Sequence, residues 1–99
     1  MNIAYSVNKV SVRLTYERWY HIIENHEELA SYFFDVLDTV ENPDFIVRGN
    51  KGSLKAVKNM GKNKWLIVLY REISKKDGFV ITSYFLDSKP KGAVIWQRG

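Results

Sequence analysis

The spacing of hydrophobic positions along this chain changes once. From Thr15 to Val40 they recur at helical intervals, and from Phe45 to Trp96 they alternate or come in short runs, so helices should precede strands. Ahead of both, Val10, Val12 and Leu14 alternate with Ser11 and Arg13. That predicts a short strand, or an extended lead-in to the first helix. Thr15 can cap that helix. Trp19, Ile22, Ile23 and His26 fall at i, i+3, i+4 and i+7 and share one face. Asn25 followed by Glu28 has the form of a capping box and predicts a second helix starting there. Its apolar stripe is Leu29, Phe33, Val36, Leu37 and Val40, and Asn42-Pro43-Asp44 ends it.

Beyond Asp44 the pattern is that of strands. Phe45–Arg48 is one, closed by Gly49-Asn50-Lys51-Gly52, and 54–60 is the next, closed by Gly61-Lys62-Asn63. The apolar run 65–73 predicts a central strand. Ser74-Lys75-Lys76-Asp77-Gly78 predicts a turn, with Asp-Gly as its hairpin signal, and 79–86 pairs back. Lys89-Pro90-Lys91-Gly92 is a break before a last short strand at 93–96. There is no internal repeat, low-complexity segment or linker. The expected architecture is α+β, with two N-terminal helices packed on a roughly four-stranded antiparallel sheet in a single domain, 1–99.

Composition narrows the class. The chain is 45% hydrophobic and 14% aromatic, which suits a packed core and argues against disorder. It has no cysteine, so disulfides and thiolate metal sites are excluded, and a reducing cytoplasm is the expected compartment. No apolar run approaches the roughly 20 residues a membrane helix needs, and Met1-Asn2-Ile3-Ala4-Tyr5-Ser6 has none of the regions of a signal peptide. The net charge of +4 is unevenly spread. Between Glu17 and Asp44 there are eight acids and one base, Arg18; between Arg48 and Lys76 there are nine bases and one acid, Glu72. Nucleic acid fits the basic half, although lysines also keep exposed strands from pairing with other chains.

The candidate chemistry centres on the two histidines, His21 and His26, the side chains that exchange protons near neutrality. On one continuous helix they would point about 140° apart, each residue turning about 100°. If the helix breaks at Asn25, His26 opens a second helix and can turn toward the cleft of His21. The positive end of that helix would then favour its neutral form. The alternatives are an inert core-edge residue for His26 and a surface residue for His21. No metal site is expected, because zinc on one helix prefers histidines at i and i+4 and there is no third histidine. Arg48, before the glycine-flanked turn that holds Lys51, can grip phosphate oxygens with two donors, or can equally be a solvated arginine at a hairpin.

By simple alternation Phe79, Ile81, Ser83 and Phe85 face one way and Val80, Thr82, Tyr84 and Leu86 the other. With Tyr70 on the partner strand, these hydroxyls can position a ribose or phosphate, or can be ordinary strand residues. Tyr5, Tyr20, Tyr32, Trp65 and Trp96 are available to stack on bases, though a chain of this size needs most of its aromatics for its core.

Arg18-Trp19-Tyr20-His21-Ile22 followed by His26-Glu27-Glu28-Leu29 resembles the start of a group of small proteins. Glu41-Asn42-Pro43-Asp44, Arg48-Gly49 with Gly52, the string from Asp77-Gly78-Phe79 to Phe85, and Lys89-Pro90-Lys91-Gly92-Ala93-Val94-Ile95-Trp96 extend the likeness over roughly residues 12–96. The group is similar to the barnase–EndoU–colicin–RelE (BECR) superfamily of metal-independent ribonucleases, in its phage- and toxin-associated branches. Glu27 stands where the group usually has proline. The resemblance implies helices on one face of an antiparallel sheet, no cofactor, and RNA cleavage by attack of the ribose 2′-hydroxyl on the adjacent phosphate. It further implies that His21 or His26 serve as base and acid, that Arg48 holds the phosphate with Lys51, and that Thr82 or Tyr84 orients it.

Two other classes compete. A non-catalytic nucleic-acid-binding module would use the basic strands, with Lys55, Lys58 and Lys62 as contacts. A protein-interaction partner, such as an antitoxin or adaptor, would dock its acidic helices on a basic protein; a toxin would in turn have a cognate inhibitor or antitoxin. The sequence sets no oligomeric state.

Overall fold

The computed structural model describes residues 2–99. In chain order these form β1 (Asn2–Tyr5), β2 (Ser11–Leu14), α1 (Tyr16–Asn25), α2 (Phe33–Glu41), β3 (Phe45–Arg48), β4 (Leu54–Asn59), β5 (Trp65–Glu72), β6 (Gly78–Leu86) and β7 (Val94–Gln97). The seven strands make one sheet in the order β1-β2-β6-β5-β4-β3-β7. This overturns the expected two N-terminal helices on a four-stranded antiparallel sheet. Two strands precede the helices, and the sheet is mixed, because β2 runs parallel to β6 through Val12↔Gly78 and Arg13↔Phe79. The pairing joins residues far apart in the chain, so no local pattern encodes it. β7 does not extend the meander from β6; it crosses over to pair with β3.

Local signals place α1. The Thr15 side chain accepts from the Arg18 N–H at 3.0 Å, satisfying one of the free donors of the first turn. Ile22 is buried, with Trp19 and Ile23 packed beside it. The second helix does not begin at Asn25. The Asn25 amide turns back and donates to the His21 carbonyl at 3.0 Å, closing the end of α1. His26 follows with an extended φ of −138°, and Glu27–Leu29 make only a single 3-10 turn. The cap of α2 is Tyr32, seven residues beyond the expected Asn25, so no α-helix N-terminus stands behind His26. α2 ends at Asn42, whose side chain donates to Asp38 at 2.9 Å.

The hairpin that Asp77-Gly78 predicts forms, with β5 and β6 antiparallel across it. The turn is closed by the Ile73 and Ser74 N–H groups donating to the Asp77 carbonyl at 2.9 and 3.1 Å, and Gly78 is the first residue of β6, opposite Glu72. Any Cβ at Gly78 would collide with the Arg71 carbonyl, so the glycine serves the close approach of strands.

Both helices lie on one side of the sheet. There Val12, Leu14, Ile22, Leu29, Val36, Val40, Leu66, Val68, Tyr70 and Val80 form the main core. A smaller cluster of Phe45, Val47, Val57 and Ile67 lies on the opposite side, with Trp65, Tyr84 and Leu86 against it. Part of that side is crossed by the connection to β7, where the Lys89 ammonium sits 5.2 Å from the Phe45 ring centre.

Candidate nucleic-acid interface

The helix-free face of the sheet is laid out by strand register. Phe45, Val57, Ile67 and Tyr84 form one row across β3, β4, β5 and β6; Val47, Lys55, Leu69 and Thr82 form the next; Arg71 and Phe79 begin a third. Simple alternation fails along β6. Leu69 pairs with Thr82 but Tyr70 pairs with Val80, leaving Ile81 as an extra residue. Such a bulge reverses which side each later residue faces. Val80 therefore joins Ser83 and Phe85 on the helix side, while Thr82, Tyr84 and Leu86 share the other side with Phe79.

The face brings several expected site residues together. Tyr84 is half-buried on the cluster that holds Ile67, its cross-strand partner, and burial pushes its hydroxyl pKa up, so it keeps its proton at neutral pH. The His26 ring lies 6.1 Å from the Tyr84 ring, centre to centre, at 36°. His26 Nδ1 is 3.8 Å from a Glu28 oxygen. His21 has a different neighbourhood: it is exposed on α1, with Nδ1 3.4 Å from Glu24. The structure thus joins His26, not His21, to Tyr84.

The basic residues divide. Lys55 shares a row with Thr82 on the helix-free face, with Leu69 between them. Arg48 is exposed at the end of β3, but its partner Leu54 belongs to the helix side, which puts Arg48 in the row opposite to Thr82 and Tyr84. Lys51 takes a left-handed φ of 53° and presents its backbone carbonyl to Arg71, which donates from Nη2 at 2.6 Å. Lys58 faces the helices, ion-paired with Asp38 and 3.3 Å from the Asn42 carbonyl. That hydrogen bond from Lys58 holds the Asp38 carboxyl below its ordinary range. Tyr70 is fully buried on the helix side, with no partner for its hydroxyl among the described residues. Burial pushes its pKa well above the ordinary tyrosine range.

Arg71 is the residue that sequence reasoning passed over, because it closes an apolar run. Its Nε is buried without a partner among the described residues, and it lies one row from Lys55 and Thr82 on the same face. The usable signal was its parity with Leu69. A second feature absent from the sequence reading is a cleft of about 1000 Å³ between the two outermost strands, lined by Tyr5 and Lys9 on one side and Trp96 and Arg98 on the other, with Asp38 and Glu41 of α2 between.

Among the described residues, no three His, Cys, Asp or Glu side chains are grouped as a metal ion would require, and no helix is long and apolar enough to cross a membrane. No family model matches the chain, and neither a curated protein nor a solved structure matches it.

Proposed function

We propose that this protein is a metal-independent endoribonuclease of toxin or phage-defence type, acting in the cytoplasm on RNA held against the helix-free face of its sheet. One observation carries the reading. His26 reaches Tyr84 at the margin of a face that also presents Thr82, Lys55 and Arg71. A proton acceptor, a hydroxyl that stays protonated, and two cations thus border one surface.

The chemistry follows from those groups. His26 takes the proton of a ribose 2′-hydroxyl as its oxygen attacks phosphorus. The P–O5′ bond breaks, a 2′,3′-cyclic phosphate forms, and the Tyr84 hydroxyl protonates the leaving 5′-oxygen. Arg71 and Lys55 offset the charge that builds on the phosphorane, and Thr82 orients the phosphate. The absence of cysteine suits a reducing compartment. A cognate inhibitor or antitoxin protein would accompany such an activity.

The test is incubation of the purified chain with end-labelled cellular RNA in EDTA, beside His26→Ala. The expected result is cleavage to 2′,3′-cyclic phosphate ends, reduced about 100-fold or more in the variant, the usual scale of a general base. Equal cleavage by both would remove His26 from the mechanism, and no cleavage over a broad set of RNAs would overturn the activity.

A further inference from the structure

The outer surface of the two helices carries an aromatic cluster that the fold uses only in part. The Tyr16 and Phe33 rings stack at 6.3 Å, Trp19 meets Phe33 edge-on at 5.2 Å, and Phe33 meets Phe34 edge-on at 5.3 Å. Trp19 and Phe33 also pack on the core beneath. Phe34 covers nothing: it is 76% exposed, and Tyr16 and Tyr20 are 65% and 64% exposed. A contiguous aromatic surface of this kind is the usual mark of a protein contact.

Charge identifies what would cover it. Glu17 follows Tyr16, and Asp35 follows Phe34. Neither has a cationic partner among the described residues, whereas Asp38 is paired with Lys58, Glu24 lies beside His21, and Glu41 accepts the Tyr5 N–H. Arg18 is the one base between Glu17 and Asp44. A second copy docked by two-fold symmetry would set acid against acid.

We propose that this acid-rimmed aromatic surface of α1 and α2 docks a cationic amphipathic segment of a partner protein. Its apolar side chains cover Phe34 and Tyr16, and its lysines or arginines meet Glu17 and Asp35. The surface is on the helix side, away from Thr82, Lys55 and Arg71. The docked segment therefore acts as a tether that leaves the sheet face open, and the inference stands independently of the ribonuclease reading.

The experiment is an NMR titration of the isotope-labelled full chain with a short synthetic amphipathic helix of leucine and lysine, beside the same peptide carrying glutamate for lysine. Saturable shifts centred on Tyr16, Tyr20, Phe33 and Phe34 are expected from the lysine peptide alone. Phe34→Ser, at an exposed position that leaves the fold intact, should weaken binding about tenfold, the effect of losing an aromatic anchor. Three results would overturn the proposal: shifts confined to the sheet, unchanged affinity in Phe34→Ser, or equal binding of the glutamate peptide. Concentration-dependent self-association that Phe34→Ser abolishes would also overturn it, by assigning the surface to a second copy.

Discussion

Val80 and Thr82 lie two residues apart on β6, yet they face opposite sides of the sheet. Val80 is 1% exposed in the main core, and Thr82 is half-buried beside Leu69, in the row that Lys55 continues. The extra residue Ile81 separates them, and it is why the hydroxyls of Thr82 and Tyr84 reach the helix-free face. The two substitutions Val80→Thr and Thr82→Val therefore have unequal effects. The first buries a hydroxyl among apolar groups and should cost about 1–3 kcal/mol. The second should change stability by less than about 0.5 kcal/mol, as surface changes do. Urea unfolding of both variants checks this, and equal losses would mean that β6 alternates without a bulge.

Arg71 and Lys58 should separate in an RNA-binding titration against salt. Arg71→Ala removes a cation from the helix-free face and should reduce the slope of log affinity on log salt by about one unit. Lys58 is occupied by Asp38 on the other side of the sheet, so Lys58→Ala should leave the slope unchanged. The reverse ranking would place the RNA on the helix side.

Tyr70 offers a prediction of stability and of its pH dependence. Its buried hydroxyl has no partner among the described residues, so Tyr70→Phe removes an unsatisfied polar group and should leave stability unchanged or raise it by about 1 kcal/mol. Burial raises the native pKa of this group above its unfolded value. The folded state thus retains a proton that the unfolded state releases above about pH 10. Wild-type stability should be fully present below that pH and fall as the pH rises beyond it. The fall should be shallower in Tyr70→Phe, as read by unfolding curves across the alkaline range.

The ion pair of Arg13 and Asp77 predicts the opposite limb. Two parallel hydrogen bonds of 2.9 Å join the guanidinium of Arg13 on β2 to the carboxylate of Asp77, just before β6. The hydrogen bond from Arg13 holds the Asp77 pKa below its ordinary value. The stabilisation is therefore present above the ordinary carboxylate range and lost as the pH falls through the depressed native pKa. The advantage of wild type over Asp77→Asn should vanish in acid and shrink in concentrated salt, since both groups are exposed to screening. A difference that persists in acid would assign Asp77 a role other than its charge.

What the sequence made legible was local. The cap at Thr15, the stop at Asn42-Pro43 and the strand β3 (Phe45–Arg48) are set by signals within a few residues, and each stands where those signals lie. The seven-stranded sheet was not legible. β1 is four residues long, and the parallel contact of β2 with β6 depends on Gly78 approaching across most of the chain. The Asn25 amide illustrates competition between local options: it could cap a following helix, but it closes the preceding one. In the candidate site, Thr82, Tyr84, His26 and Lys55 were named in advance. Arg71 was hidden by its position at the end of an apolar strand, and Tyr70, grouped with the hydroxyls of Thr82 and Tyr84, lies on the opposite side of the sheet from them.

The narrow contact between β2 and β6 also sets an order of assembly. The strands β3 to β6 can zip together through successive hairpins, each closing a short loop. The β1–β2 ribbon has no such neighbour. It joins the sheet through two residue pairs, Arg13 on Asp77, and Glu72 gripped by Ser6 and Asn8. β2 is synthesised long before Gly78 exists to receive it. During that interval its open edge is a surface for mispairing, and the ribbon should be the last part of the sheet to gain protection in pulsed hydrogen exchange and the first to lose it.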